Sequence, residues 1–391
     1  MGMTLNNKRT CDVKFRVDRD VFADAVAWAA RTLPTRPGSQ PVLAGLMITA
    51  GDGLVLNSFD YETSARATLN ADVIEEGTVL VPGRMLADIV RALPAKPVDV
   101  SLDGTRVQLT CGSARFSIPS MPVDEYPSLP DMPTASGTVK SDDFAHAVAQ
   151  AVTAAGRDDM LPVLTGVRIE IVGDTIALLA TDRFRLSSTE LTWTPQTADA
   201  SFAALVPAKI LADTAKSLTT GSDITIALSA GGQGEGIIGF EGQVAGGVRR
   251  TTTRLLDGEF PKVRSLFPAE HLTTAVVTKA DLVESVKRVS LVAGRNTAVQ
   301  MTFGDGGITL DAGSSDEAQA TEAVEATING DSLTTGFNPA YLLDGLSAID
   351  EAEVILSFTL ASKPVVISGK PGEGQDDPGF RYLLMPRRLL N

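Results

Sequence analysis

Few residues in this chain have the type and spacing for chemistry. His146 and His271 are the only imidazoles in 391 residues. No metal cluster can be built around histidine, and no Ser-His-Asp or Cys-His order stands out. His146 falls on the polar side of an amphipathic helix, where a solvated imidazole is the ordinary outcome. Asp158-Asp159 and Asp376-Asp377 offer paired carboxylates of the kind that bind Mg²⁺. Both pairs lie in loop-like sequence, and adjacent side chains rarely converge on one ion. Gly234-Glu235-Gly236-Ile237-Ile238-Gly239 matches GxGxxG, a pattern that needs a following helix whose N-terminus holds a pyrophosphate. The residues after it, FEGQVAGGVRRTTTRLL, read instead as another strand with glycine-rich turns. Cys11 and Cys111 form no metal-type spacing, and Cys111 lies in an alternating, strand-like run, so free thiols and no disulfide are expected. No catalytic residue, metal or cofactor is assigned.

The elements that carry these residues belong to a folded, water-soluble chain. Hydrophobic residues make up 43% and charged residues 21%, and the length suits two to four domains. No run approaches the roughly 18 apolar residues of a membrane helix, and the N-terminus lacks the apolar core of a signal peptide. A cytoplasmic protein is expected. The net charge of −14 argues by itself against a nucleic-acid partner. A basic patch can still act locally when the acidic residues lie beyond the screening length of about 8–10 Å.

The strongest internal signal is a unit written three times. An amphipathic helix opens each copy: VDRDVFADAVAWAARTLP from Val17, VKSDDFAHAVAQAVTAAG from Val139 and VTKADLVESVKRVSLVAG from Val277. Phe22, Val26, Ala29 and Leu33 correspond to Phe144, Val148, Ala151 and Ala155, and then to Leu282, Val286, Val289 and Ala293. Each set follows the i, i+4, i+7, i+11 spacing of one helical face. A turn and strand follow, at Pro41–Leu46 and Pro162–Val167, shortened to TAVQMTF in the third copy. Next comes a hairpin pattern, as around Gly173-Asp174. A strand ending in proline then opens a second helix near Pro82, Pro207 and Pro339, proline being suited to a helix's first turn. Two or three further strands close each copy. This predicts an α+β fold of three similar domains, each with two helices and antiparallel sheets: an N-terminal extension over 1–12, then domains over 13–130, 137–266 and 272–391.

Several separated blocks resemble the bacterial DNA polymerase III β sliding clamp family over essentially the whole chain, apart from about a dozen N-terminal residues. They are Arg36-Pro37 before PVLAG, Ala180 to Leu186 (ATDRFRL), Leu256 to Pro261 (LDGEFP), Phe337 to Tyr341 (FNPAY) and Tyr382 to Leu389 (YLLMPRRL). The resemblance implies a DNA clamp fold that closes as a head-to-tail dimeric ring around duplex DNA, holding the DNA polymerase III alpha subunit, the clamp loader and other motif-bearing partners. It puts Arg36 against DNA, and helical position adds Arg84, Arg91, Lys209, Lys216, Lys287, Arg288 and Arg295 as lining residues. Contacts of this kind go to phosphates and carry no sequence information. It maps a dimer contact onto Leu291 and Val292, facing Phe116 of the partner chain; Leu291 lies about 180° from its helix's apolar stripe.

The resemblance also joins Leu164, Thr181, Arg183, Leu186, Pro261, Leu266, Asn338, Tyr341, Pro364, Leu383, Met385, Pro386 and Arg387 into a partner-peptide pocket. Aliphatic side chains, Met and Pro suit an apolar trough, with Asn and Tyr supplying oriented hydrogen bonds. Arg387 departs from the family, which usually has an apolar residue there. A guanidinium resists burial without a partner, so it either recharges the pocket, as would suit a specialised second clamp copy, or points to solvent. Two other readings stay open from the residues: a repeat-built adaptor that ignores DNA, and a hydrolase using loop carboxylates.

Overall fold

The computed structural model describes residues 13–34, 40–229, 236–294, 297–313, 318–372 and 379–388. Among them are six α-helices: α1 (Arg19–Ala29), α2 (Gly83–Ala92), α3 (Ser141–Val152), α4 (Ala208–Ser217), α5 (Lys279–Val289) and α6 (Pro339–Ser347). The expected pair of helices per repeat is present, and every recorded pairing of strands is antiparallel. No helix of the described residues is long and apolar enough to cross a membrane.

Local chemistry sets where the helices begin and end. Asp18 caps α1, its carboxylate accepting from the backbone N–H of Asp20 and Val21 at 2.9 and 3.1 Å. The α-helices α1, α3 and α5 stop at Ala29, Val152 and Val289, short of the full periodic run. Hydroxyls near those ends accept the role of the next turn: Thr32 donates to the carbonyl of Ala29, Thr153 to Ala149 and Ser290 to Val286. Leu33 and Ala155 are still buried beyond the helix ends, whereas Ala293 is half-buried. Leu291 therefore sits on a 3₁₀ turn, Ser290–Val292, rather than on the helix itself. Pro82 and Pro207 end strands directly before α2 and α4, as expected, but of the three prolines only Pro339 lies within the first turn of its helix. A fixed φ near −65° suits each of these places.

Contacts divide the chain into two compact units, Met1–Asp142 with Thr214–Leu255, and Asp143–Asp213 with Leu256–Asn391. In the first unit a five-stranded sheet runs in the order Asp72–Glu75, Lys14–Val17, Val98–Asp103, Arg106–Cys111, Ala114–Pro119. A second sheet runs Ala135–Lys140, Asp223–Leu228, Ile237–Val244, Gly247–Arg254, Thr63–Leu69, Leu54–Phe59, Gly45–Ala50, Gly77–Pro82. The fully buried Phe15, Phe22, Val26, Leu46, Leu54 and Leu56 lie in one apolar cluster with the inner faces of α1 and α2. Burying a side chain of that size contributes about 1.5–3 kcal/mol. Ile237–Val244 and Gly247–Arg254 form a hairpin, as the residues after the GxGxxG match read, and not the helix that a pyrophosphate site needs; Gly234 and Glu235 fall outside the described residues. Cys111 is buried on its strand with its thiol against the carbonyls of Pro94 and Lys96; Cys11 lies outside the described residues.

In the second unit a nine-stranded sheet runs Ser201–Pro207, Gly166–Val172, Thr175–Thr181, Arg185–Thr192, Phe380–Leu384, Val365–Gly369, Glu353–Phe358, Thr273–Thr278, Ala326–Asn329. A four-stranded sheet runs Gln319–Val324, Gly307–Gly313, Val299–Gly304, Leu333–Phe337. The hairpin at Gly173-Asp174 forms as its alternation predicts, with Val172 opposite Thr175 and Gly173 at φ 60°. Asp158-Asp159 is loop, as expected; Asp376-Asp377 lies outside the described residues.

In the second unit α6 packs tightly against the fully buried Tyr382. A Cβ placed on Gly345 would run into the ring of Tyr382, whose hydroxyl donates to the carbonyl of Tyr341 at 2.9 Å. Gly345→Ala should therefore cost about 1–3 kcal/mol in chemical denaturation through overpacking. Gly51→Ala, with nothing within 4 Å and no positive φ, should stay within about 0.5 kcal/mol of wild type; equal effects of the two substitutions would discard this account.

Candidate functional site

The site is built on one tight turn, Thr181–Arg185, between two strands of the nine-stranded sheet. Asp182 shapes it: one carboxylate oxygen accepts from the N–H of Phe184 and of Arg185 at 2.9 and 3.0 Å. Between them Arg183 is forced to φ 80°, a left-handed conformation that non-glycine residues adopt at a cost of about 1–3 kcal/mol. The same turn recurs in the first unit, where Asp60 accepts from Glu62 and Thr63 and Tyr61 stands at φ 75°. Arg185 turns inward and is buried, paired to Asp182 at 2.9 Å and to Asp344 of α6 at 2.6 Å, with its guanidinium 4.3 Å from the centre of the Tyr341 ring. A buried guanidinium is tolerated only when its donors are satisfied like this. Burial pushes the phenol of the neighbouring Tyr382 well above its usual range, so it remains a neutral hydrogen-bond donor.

Asn338 begins α6, its side-chain oxygen accepting from Ala340 and Tyr341 N–H at 3.0 and 3.4 Å. That oxygen is committed to the cap, which leaves the amide N–H groups of Asn338 as its remaining donors. The cap, Arg185 and Tyr382 together fix Tyr341, whose ring lies 6.4 Å from that of Phe184. Between these rings and the loop after α3 opens a cavity of about 340 Å³ lined by Gly156, Arg157, Asp158, Leu161, Leu164, Asp182, Arg183, Phe184 and Tyr341.

Of the residues expected in a peptide pocket, Leu164, Arg183 and Tyr341 line this cavity. Leu186 and Leu383 are buried side by side in the apolar cluster beneath the sheet, register partners across the two strands. Thr181 is buried, bonded to the carbonyl of Arg185. The Met385 N–H donates to the Phe184 carbonyl at 2.8 Å, leaving its thioether exposed beside the turn. Pro364 and Pro386 are half-buried. Pro261 lines a different hollow with Leu179, Phe260 and Val263, and Leu266 is exposed without lining either. Arg387 is half-buried where its N–H bonds Gly336, and it is not among the residues lining the Tyr341 cavity. The sequence reading did not single out Phe184, Leu161, Arg157 or the exposed Met160. Phe184 stands in the ATDRFRL stretch, and a large aromatic two residues after a turn-forming Asp was the available signal.

The basic residues expected against DNA fall into distinct classes. Arg36 and Arg295 lie outside the described residues. Arg84 is exposed and donates to the Leu33 carbonyl at 2.8 Å, and Arg91 reaches Asp88 at 4.0 Å. On α5, Lys287 pairs with Glu284 and Arg288 with Glu322; hydrogen bonds from Arg288 and Ser285 hold the Glu322 carboxyl down at about 2. Lys209 and Lys216, on α4, are exposed, and neither has an ion-pair partner among the described residues. His146 is half exposed and lies 2.9 Å from Asp350. Leu291 is 85% exposed and Phe116 37%, unusual values for residues of this size, and Val292 is half-buried.

Models of the DNA polymerase III beta subunit match almost the whole chain: the N-terminal domain over residues 13–130, the central domain over 138–262 and the C-terminal domain over 264–388. The beta sliding clamp of Streptomyces coelicolor is 57% identical over 379 residues, covering 96% of this chain and 100% of that protein. That of Micrococcus luteus is 53% identical over 317 residues, covering 81% of this chain and 100% of that protein. The crystal structure of the Bacillus subtilis DNA polymerase sliding clamp superposes with a TM-score of 0.87 at 25% identity, covering 97% of this chain and 100% of that one.

The strained turn makes a stability prediction. Arg183→Gly should keep or raise stability by up to about 1 kcal/mol, since glycine adopts positive φ freely. Arg183→Val should lower it by about 1–3 kcal/mol, because a β-branched residue fits that region worst. Denaturation curves that rank the two the other way round would contradict the turn geometry.

Proposed function

The chain belongs to the DNA polymerase III beta subunit family, the sliding clamps of bacterial replication, and from this membership we propose that two copies close head to tail into a ring around duplex DNA. The adaptor and hydrolase readings are set aside by that membership.

The pattern of strand pairing carries the proposal. In the first repeat, Thr63–Leu69 pairs with Gly247–Arg254, the closing strand of the second, with Ala65 opposite Thr251. In the second repeat, Arg185–Thr192 pairs with Phe380–Leu384, the closing strand of the third, with Ser187 opposite Tyr382. The strands left over are Gln319–Val324 of the third repeat and Ala114–Pro119 of the first, and each is the edge of its sheet. A second copy supplies both missing partners at once, a head-to-tail contact that a two-fold rotation closes. Ala154, the second-repeat counterpart of Val292, is fully buried in the core cluster of the third repeat. Val292, Leu291 and Phe116 fill the corresponding places between subunits.

Three domains, over 13–130, 137–266 and 272–391, thus become six in the ring. Arg36, Arg84, Arg91, Lys209, Lys216, Lys287, Arg288 and Arg295 face phosphates in its hole. Binding there is non-specific and salt-sensitive, as sliding requires. The Tyr341 cavity takes short peptides of the polymerase alpha subunit, the clamp loader and other partners. The chain itself contributes no catalytic residue and works in the cytoplasm, on the nucleoid.

The protein should sediment as a dimer, stay on closed circular DNA and slip off when the circle is cut. Leu291→Asp should convert it to monomer and abolish retention. A monomer whose DNA binding is indifferent to the cut would end the ring proposal. Tyr341→Ala and Met385→Ala should each weaken pull-down by a clamp-binding peptide while leaving the dimer intact.

A further inference from the structure

Where the first repeat meets the second, Arg249 is buried, paired to Asp24 and with its guanidinium carbon 5.2 Å from the centre of the Trp28 ring. Asp24 and Trp28 lie on α1, and Arg249 lies on Gly247–Arg254, opposite Ala67. A cation, a ring and a carboxylate thus join the first helix of one repeat to the closing strand of the next. The second junction uses other groups: Gln150, in the place of Trp28, accepts from Thr189 at 3.0 Å, and Thr189 is opposite Phe380.

The third repeat and the free strand of the first carry the cation, ring and carboxylate again, in exchanged places. Counting from Val17 and Val277, which open their repeats, Arg288 holds the position of Trp28 and Glu284 that of Asp24. On the closing strands, Ala114 is opposite Cys111 across its hairpin as Gly247 is opposite Val244, so Phe116 holds the position of Arg249. Glu322, opposite Leu310, takes the place of Ala67, opposite Leu56. The edges of Arg288 are bonded within its own repeat: Nε and an Nη donate to Glu322 at 3.1 and 2.5 Å, and Glu322 also accepts from Ser285 at 2.7 Å. In-plane bonds of this kind hold a guanidinium by its N–H groups and leave its flat face free to stack. Arg288 and Phe116 are both exposed in the single chain.

We infer that in the closed ring Arg288 of each subunit lies over the ring of Phe116 of the partner subunit, repeating the Arg249–Trp28 contact with cation and ring exchanged between helix and strand. The inference rests on the head-to-tail dimer and adds to it the contact that pins each closure. Glu322 sets the guanidinium in place before the partner arrives, so little side-chain freedom is lost on closing. Ala67 leaves room for Arg249 to cross the first junction; Glu322 instead keeps the cation on the helix side, and the partner has only to supply a ring. A cation over an aromatic face contributes about 0.5–2 kcal/mol, which is about two- to thirtyfold in affinity. Two-fold closure makes the contact twice.

The test is a double-mutant cycle on the full-length protein, with the dimer dissociation constant read by sedimentation over a dilution series and folding of each variant checked by circular dichroism. Phe116→Leu and Arg288→Met each remove one group and keep apolar bulk. Each should raise the dissociation constant about fivefold or more, and the double variant should be within about twofold of the weaker single one. Phe116→Tyr, which keeps the ring, should stay within about twofold of wild type. The exchange F116R/R288W should dimerise more tightly than either F116R or R288W alone, because Glu284 then stands to the introduced cation as Asp24 stands to Arg249. Single effects that multiply in the double variant, in a protein that still dimerises, would overturn the contact and leave the ring standing. A wild-type chain that stays monomeric across the series would remove the ring and the contact together.

Discussion

A β-strand whose edge N–H and C=O groups face nothing is unstable as an edge, and in this fold the neighbouring repeat supplies the missing strand. At the first such junction the contact is a hydroxyl ladder: Thr63 lies 3.1 Å from Thr253 and Ser64 2.6 Å from Thr252, oxygen to oxygen, all four buried. At the second junction it is mixed, with Leu186 against Leu383 and the buried Ser187 and Thr189 opposite Tyr382 and Phe380. The backbone pairing is the same in both, and the side chains are free to differ.

That freedom decides where a binding site can appear. At the hydroxyl junction Arg249 reaches across to Asp24 and over the ring of Trp28. At the second junction the corresponding stiffening comes from Arg185, which ties the Thr181–Arg185 turn to Asp344 and Tyr341 on α6. Because Arg185 is held from below, the next residues of the turn, Arg183 and Phe184, are left on the outer side beside Tyr341. A cavity in a rigid frame binds an extended peptide with little ordering cost on the protein's side.

The architecture was legible in the sequence because it is written three times. The apolar stripes Phe22/Val26/Ala29 and Leu282/Val286/Val289 are buried as periodicity requires. The helix ends were less legible, since serine and threonine hydroxyls near the last turns, not the apolar pattern, terminate the helices. The site was legible only in part. Tyr341, Leu164 and Arg183 meet in one cavity although they are far apart in the chain, and the family blocks joined them where composition could not. Phe184 and Arg157 were missed because they join the site only through the cavity they share with Tyr341, which is far from both in the chain. The pairing of Lys287 and Arg288 with Glu284 and Glu322 was hidden for a similar reason: Glu322 is 34 residues from Arg288 and joins it only through the strand that packs on α5.

The hydroxyl ladder also has a consequence in time. Thr63 and Thr253 are 190 residues apart in the chain. At a synthesis rate of about 5–20 residues per second, the first repeat leaves the ribosome about 10–40 s before its neighbouring strand exists. Throughout that interval Thr63–Leu69 is a bare edge. A hydroxyl-rich edge is a poorer template for stray strands than an aliphatic one, so the Ser and Thr of this strand protect the nascent chain during that wait.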